Sequence, residues 1–135
     1  MLTDAGPLVA LLDRDDAQHT TCIAVLGKLP AGVLETTWPC FTEATYMLGR
    51  VGGSRYQNSL WQLRRDRRLV LLDLTGSEVD HADVLMMQYH DIPMDLADAS
   101  LMAVAESRGY KRLFTLDADF YIYRHSDGSV LEIVR

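Results

Sequence analysis

The sequence predicts an α/β domain built on a small, mostly parallel sheet with helices on its faces. Short apolar runs, of which Leu69–Leu72 is the clearest, alternate with longer segments whose apolar residues recur at helical spacing. Strands that are joined through helices run in the same direction, so this alternation favours a parallel sheet. The 135 residues correspond to one domain by length, and we expect that domain to span residues 1–135.

The composition is that of an ordinary globular protein. Hydrophobic residues make up 48% of the chain, too many for a disordered protein. The formal net charge of -6 repels nucleic acid unless cations or a basic patch offset it locally. Cys22 and Cys40 lack further cysteines at metal-ligand spacing, so we expect buried, reduced thiols. We find neither an export signal nor a run long enough to span a bilayer, which predicts a cytoplasmic protein without membrane contact.

The first elements are a minimal strand and two helices. Met1–Thr3 forms the strand and is followed at once by an acidic residue. Pro7 suits the first turn of a helix, where its missing N–H is not needed, and apolar residues at helical spacing follow it. A second helix is predicted for residues 16–28, because a proline and a glycine follow its end.

The middle of the chain is predicted to hold two strands and two separate helices. The expected elements are a strand at Val33–Leu34, a helix from Pro39 to Gly49 or Gly52–Gly53, a helix from Ser54 to Arg65, and a strand at Leu69–Leu72. Ser54 is predicted to start its helix because a serine hydroxyl can accept a hydrogen bond from a backbone N–H of the first turn.

Two helices and two strands complete the prediction. One helix begins at Ser77 and is broken near Pro93. Another covers residues 95–108 and stops at Gly109, since glycine favours the position that ends a helix. The last two strands are expected at residues 112–115 and 130–134.

Four carboxylates stand at positions that should converge. Asp4 and Asp117 each follow the end of a predicted strand, and ligands of parallel sheets bind beyond these carboxyl ends. Glu43 and Asp98 lie in helices, among mostly apolar residues. Clustered carboxylates repel one another unless a cation is bound between them, and magnesium-like ions prefer such hard oxygen ligands. We therefore interpret the four acids as a site for a divalent metal ion.

Each acid taken alone also has a purely structural interpretation. Asp95 can be an N-cap, and Glu43 can be an ordinary glutamate of a first helical turn. Asp117 can form an Asx turn or cap the turn that follows it, and Asp119 is the more readily structural of that pair. Asp98 can lie on the surface. These alternatives remain open for single residues, and the metal site rests on the set as a whole.

The same residues resemble the acidic motifs of PIN-domain ribonucleases. The matching features are Asp4 after the first strand, Glu43 in the third helix, Asp98-Ala99 in a later helix, and Thr115, Asp117, Asp119 and Phe120 after a strand. The most specific part is the run of residues 96–106 followed by residues 113–120. The resemblance covers essentially the whole chain, which looks most like the VapC-like toxins of bacterial toxin–antitoxin pairs.

This resemblance implies a three-layer sandwich and magnesium- or manganese-dependent endonucleolytic cleavage of RNA. It assigns the four acidic positions to metal binding and catalysis, with Asp95, Thr115 and Asp119 as accessory residues. It also implies a homodimer and a cognate antitoxin whose tail enters the active-site groove. The very short first strand departs from the family, and residues 121–128 give little help with the choice of substrate.

One basic segment and several aromatic residues have two interpretations each. The segment consists of Arg64, Arg65, Arg67 and Arg68. It can hold an RNA backbone, or it can be a solvated helix end where cations favour the dipole. Tyr56, Trp61, Tyr121 and Tyr123 can stack on bases, although we expect them in the core or a dimer interface.

Two classes of function follow, a metal-dependent ribonuclease and a catalytically inert interaction or regulatory module with the same fold. A phosphate-transfer domain of the receiver type also clusters acids at strand ends. It is disfavoured here because Lys111 precedes its strand and does not end a later one.

Overall fold

The computed structural model describes residues 1–30 and 32–135. Its elements in chain order are β1 (Leu2–Thr3), α1 (Ala5–Leu12), α2 (His19–Lys28), β2 (Leu34–Thr37), α3 (Trp38–Arg65), β3 (Leu69–Leu72), α4 (Gly76–Gln88), α5 (Leu96–Arg108), β4 (Arg112–Phe114), a 3₁₀ helix (Ala118–Tyr121) and β5 (Glu132–Val134). No helix among these residues is long and apolar enough to cross a membrane.

The strands form one sheet in the order β3-β2-β1-β4-β5, and every pair in it is parallel. Strand β1 is central, since Leu2 lies opposite both Glu35 of β2 and Leu113 of β4. The predicted α/β class is confirmed, and the sheet that was expected to be mostly parallel is parallel throughout the described residues. Because β1 is central, the residue that follows it lies at the middle of the carboxyl-end edge.

Helices pack on both faces of the sheet and make three layers. Neighbouring residues of a strand point to opposite faces. Leu113 packs in the core that includes Leu85 of α4 and Leu101 of α5. Phe114, the next residue, packs with Ala10 of α1 and Cys22 of α2. Both cysteines are free and buried, as predicted from their spacing.

Helix α2 begins three residues later than predicted, at His19. The polar residues before it bond to the backbone of their own turn. The Asp13 carboxylate accepts a hydrogen bond from the Asp15 N–H at 3.0 Å, and that of Asp16 accepts one from the Gln18 N–H at 2.8 Å. Such local bonds compete with helical hydrogen bonding, so the helix starts after them.

Strand β2 is longer than the predicted Val33–Leu34 and continues through three polar residues to Thr37. Two of them have partners inside the fold. The Thr36 hydroxyl donates to the Thr3 carbonyl at 2.7 Å, and the Thr37 and Ser100 hydroxyl oxygens lie 2.6 Å apart. A run of polar residues can be a buried strand where the neighbouring elements satisfy each side chain.

The two predicted helices of residues 39–65 form one kinked helix, α3. The backbone leaves the helical conformation only at Gly53, with φ 66° and ψ -157°, and Ser54 does not begin a separate element. Positive φ favours glycine, which explains the residue at the kink. Gly52 has a second constraint, because a Cβ atom there would lie 2.3 Å from the Tyr56 ring.

Candidate active site

The predicted acids come together in one pocket at the carboxyl-end edge of the sheet. The pocket has a volume of about 270 Å³. Its lining, which defines the acidic pocket below, is Asp4, Gly6, Glu43, Met47, Asp95, Asp98, Leu116 and Asp117. Each acid comes from a different part of the fold, apart from the pair Asp95 and Asp98 at the start of α5. Asp119 lies in the 3₁₀ helix and does not line the pocket.

Asp4 is the central and most constrained carboxylate. It follows β1 and caps α1, and it is only 7% exposed. One carboxylate oxygen accepts the Ala5 N–H at 2.7 Å, and the other accepts the Thr115 hydroxyl at 2.7 Å. Burial still raises the pKa of Asp4, because it outweighs both hydrogen bonds, and the charges of Asp117 and Asp95 add to the effect.

Asp95 and Asp98 form a reciprocal cap at the start of α5. The Asp98 N–H donates to the Asp95 carboxylate at 2.8 Å, and the Asp95 N–H donates to that of Asp98 over a longer 3.4 Å. Asp95 is therefore the N-cap of α5, as its structural interpretation predicted, and it also lines the acidic pocket. The surface interpretation of Asp98 is wrong, since this residue is 8% exposed.

The pKa of Asp98 is raised as well. Burial, followed by the charges of Asp95 and Asp4, raises it to about 8. The pKa of Glu43 on α3 is also raised, first by burial and then by Asp95, Asp4 and Asp117. The acids that repel one another in this way are drawn from α3, α5 and two strand ends. A bound cation would relieve that repulsion.

Thr115 joins two of the acids through its hydroxyl. This residue is fully buried after β4. Its hydroxyl donates to Asp4, and its oxygen accepts the Asp117 N–H at 3.0 Å. Asp117 in turn accepts the Asp119 N–H at 2.9 Å and caps the 3₁₀ helix, as its structural interpretation predicted. Thr115 thus sets the spacing between Asp4 and Asp117.

The donor set suits a hard divalent cation, since all its charged members are carboxylates. Within the described residues, no three His, Cys, Asp or Glu side chains are arranged to hold a metal ion as they stand. The hydrogen bonds explain this arrangement, because Asp4, Asp95 and Asp98 direct oxygens at backbone N–H groups of helix starts.

The basic segment lies at the other edge of the sheet. Arg68 directly precedes β3, and its carbonyl accepts the Leu34 N–H at the start of β2 at 3.0 Å. Since all strands are parallel, these strand starts are opposite to the edge that carries Asp4. Arg65 is bonded to Asn58 at 3.0 Å and to Gln62 at 2.9 Å on its own helix. The structure does not bring the predicted arginines to the acidic pocket.

Sequence reasoning missed a wide depression beside the acidic pocket. It has a volume of about 710 Å³ and shares Glu43 and Asp95 with the pocket. Trp38, Tyr46 and Leu96 line it and are 40%, 64% and 52% exposed. Helical periodicity gave no signal for this surface, because it is shared by the starts of two helices far apart in sequence.

A parallel α/β domain with acids gathered beyond its strand ends belongs to the class of proteins whose site lies at the carboxyl edge of the sheet. Within that class, the chain belongs to the PIN-domain family, which its sequence matches over residues 1–125. The family suggested by the acidic motifs is therefore confirmed. Among curated protein sequences, none matches this chain.

Solved structures with the same fold come from several bacteria. VapC20 of Mycobacterium tuberculosis, a toxin that cleaves the sarcin–ricin loop, is similar with a TM-score of 0.84 and 21% identity, over 99% of this chain and 98% of that chain. VapBC2 of Rickettsia felis, bound to promoter DNA, has a TM-score of 0.67 and 12% identity, with coverage of 99% and 98%. FitAcB of Neisseria gonorrhoeae has a TM-score of 0.65 and 14% identity, with coverage of 99% and 96%.

Proposed function

We propose that this chain is a divalent-metal-dependent endoribonuclease and the toxin of a toxin–antitoxin pair. The observation that carries the proposal is the acidic pocket, in which carboxylates from four parts of the fold face one another. Burial, and then the charges of neighbouring acids, raise the pKa of Asp4, Glu43 and Asp98 in it. A protein gains nothing in stability from such repulsion, so a bound cation is the simplest reason for the cluster.

In this proposal Asp4, Glu43, Asp98 and Asp117 hold Mg²⁺ or Mn²⁺, directly or through water. When bound, the ion supplies a water of lowered pKa and neutralises charge on the phosphate of RNA. Thr115 keeps Asp4 and Asp117 at a set distance through its two hydrogen bonds. Asp95 holds the start of α5 and thereby places Asp98, and Asp119 supports the turn that carries Asp117.

The structural neighbours support the choice of substrate and partner. VapC20 cleaves the sarcin–ricin loop and has this fold over nearly all of both chains. A toxin–antitoxin complex of Klebsiella pneumoniae is also similar, with a TM-score of 0.59 and 16% identity over 88% of both chains. We therefore propose RNA as substrate, a cognate antitoxin as protein partner, a homodimer as the assembly and the cytoplasm as its location. If the arginines of the basic segment bind RNA, they contact a part of the RNA that is distant from the cleaved bond.

A catalytically inert interaction module is the second candidate. It is favoured by the net charge of -6, which repels RNA unless cations offset it. In such a module the depression beside the pocket, with exposed Trp38 and Tyr46, would bind a protein.

Cleavage of RNA by the purified chain distinguishes the two candidates. We expect RNA to be cut at internal positions with Mg²⁺ or Mn²⁺, and cutting to stop with EDTA and return with excess Mn²⁺. Gel analysis of a panel of structured and unstructured RNAs measures this, with Ca²⁺ as a cation of the same charge but looser geometry. Intact RNA throughout the panel, under full metal titration, would favour the inert module.

A further inference from the structure

A network of buried polar groups joins the start of α3 to the start of α5 beside the acidic pocket. Its members, which define the buried polar network below, are Thr37, Cys40, Ala97 and Ser100. Thr37, Cys40 and Ser100 are 0% exposed. A buried polar network in which every group is paired rigidifies a core and specifies one arrangement of the elements that carry it.

The direction of each hydrogen bond follows from the protons available. The Ser100 hydroxyl donates its one proton to the Ala97 carbonyl at 2.7 Å. The Ser100 oxygen lies 2.6 Å from that of Thr37, so the Thr37 hydroxyl is the donor between them. The Thr37 oxygen also caps α3, where it accepts the Cys40 N–H at 3.4 Å. Both hydroxyls therefore donate one hydrogen bond and accept another.

The Cys40 thiol extends the network to Asp4. Its sulfur lies 3.6 Å from the Ala97 carbonyl oxygen and 3.9 Å from one carboxylate oxygen of Asp4. Both oxygens are within reach of the weak donor that a thiol provides. The buried polar network thus contacts three places that carry pocket acids, namely the end of β1, the start of α3 and the start of α5.

The Thr37–Ser100 bond is a direct polar contact between α3 and α5 at the pocket. Glu43 lies one turn after Cys40 on α3, and Asp98 lies between Ala97 and Ser100 on α5. Residues two apart on a helix face different sides, so Ser100 meets Thr37 while Asp98 lines the pocket. Because the backbone hydrogen bonds of a helix are internal, side-chain contacts fix the distance between two helices.

We propose that Ser100 is a positioning residue for the acidic pocket, and that its bond with Thr37 holds Glu43 and Asp98 at the separation that a divalent cation requires. The inference rests on the proposed metal-dependent function. Ser100 does not line the pocket and acts through the helix that carries Asp98. Alanine at this position would leave the Thr37 hydroxyl without its acceptor. A buried donor without a partner is costly, so α3 and α5 would shift to pair it.

The test is the affinity of the full chain for Mn²⁺, measured by titration calorimetry on Ser100→Ala. We expect binding about 10-fold weaker than in the native chain, at the lower end of the effect of removing groups that orient metal ligands. Thr37→Val should weaken binding similarly, and the double variant should be little weaker than either, because each substitution breaks the same bond. Thr37→Ser keeps the hydroxyl and should bind Mn²⁺ as the native chain does.

Thr36→Val is the matched control. Its hydroxyl is also fully buried and donates to the Thr3 carbonyl at 2.7 Å, between two strands that are already paired in the sheet. This variant should lower the melting temperature as Ser100→Ala does but leave the Mn²⁺ affinity unchanged. Equal weakening of Mn²⁺ binding by Thr36→Val and Ser100→Ala would overturn the role of Ser100, because any buried hydroxyl would then have the same effect.

Asp98→Asn separates failure of this inference from failure of the proposed function. If Asp98→Asn binds Mn²⁺ as tightly as the native chain, the metal site itself is misassigned. If Asp98→Asn weakens binding but Ser100→Ala does not, only the role of Ser100 is overturned. A Ser100→Ala chain that fails to fold would also overturn it, since the bond with Thr37 would then serve the metal-free fold.

Discussion

Asp98→Asn should abolish metal-dependent RNA cleavage and leave the fold as stable as before, or more stable. Asparagine keeps the size of the side chain but cannot carry the charge that holds a cation. Since even a group behind a metal ligand contributes about 10–100-fold, we expect loss of a ligand to reduce the cleavage rate by at least about 100-fold. Burial and acidic neighbours raise the pKa of Asp98 to about 8, so the metal-free fold disfavours the ionised form that the unfolded chain adopts at neutral pH, and asparagine removes this cost.

Asp4→Asn should reduce cleavage by a similar factor, and initial rates on one RNA measure both variants. Asp80→Asn is the matched control, because Asp80 is an exposed aspartate of α4 that does not line the acidic pocket. Its rate should equal that of the native chain. If the Asp4→Asn variant and the Asp98→Asn variant both cleave RNA at the native rate, neither acid takes part in the reaction.

Glu78→Gln should lower the free energy of unfolding by about 3 kcal/mol, because it leaves Arg108 without the charged partner of a buried ion pair. We expect this loss to exceed that of the other substitutions proposed for this chain. The Glu78 side chain is 2% exposed, and its two oxygens accept the Arg108 Nη2 and Nε groups at 2.9 Å and 3.0 Å. The Thr75 N–H and the Ser107 hydroxyl also donate to it. These contacts tie α4 to the end of α5, the helix that carries Asp98. We place the value low in the range for buried pairs because Arg108 is 33% exposed.

This effect should depend on pH in a defined direction. The Arg108 guanidinium lowers the pKa of Glu78 from 4.5 to about 2 in the folded chain. A lowered pKa stabilises the fold above the unfolded value, so the advantage is complete above pH 4.5 and is lost as pH falls toward 2. Urea unfolding of the native and Glu78→Gln chains at neutral and acidic pH measures the difference, which should shrink with acid.

The control for Glu78 is an exposed ion pair in the same molecule. Glu132 lies 3.4 Å from Arg112, and the two side chains are 66% and 44% exposed. Glu132→Gln should cost less than about 1 kcal/mol, because solvent screens such pairs. Equal losses from Glu78→Gln and Glu132→Gln would mean that the buried pair does not hold α4 to α5.

The acidic pocket could be predicted from local signals. Asp4 and Asp117 follow apolar strands, and parallel strands must present their carboxyl ends at one edge of the sheet. Asp98 stood out because its neighbours in the helix are apolar. In each case the sequence around one residue contains the relevant information, and the topology of a parallel sheet brings the residues together.

Features that depend on contacts between distant residues could not be predicted. The predicted strand ended at Leu34 and left out residues 35–37, because the partners that satisfy Thr36 and Thr37 lie in other elements. Nothing in the sequence near Tyr123 indicates that its hydroxyl is buried without a hydrogen-bond partner among the described residues. The arginines of the basic segment were judged by their charge alone. Only the direction of the strands places them at the edge opposite to the acids.

The position of a bound Mn²⁺ ion tests the metal site most directly. Crystals of the native chain grown with Mn²⁺, measured at the manganese absorption edge, would show the ion as an anomalous difference peak. We expect that peak in the acidic pocket, among Asp4, Glu43, Asp98 and Asp117, and we expect it to be absent from crystals of Asp98→Asn. A peak at another place on the surface, or an empty pocket at saturating Mn²⁺, would contradict the assignment of these acids to a metal-dependent nuclease.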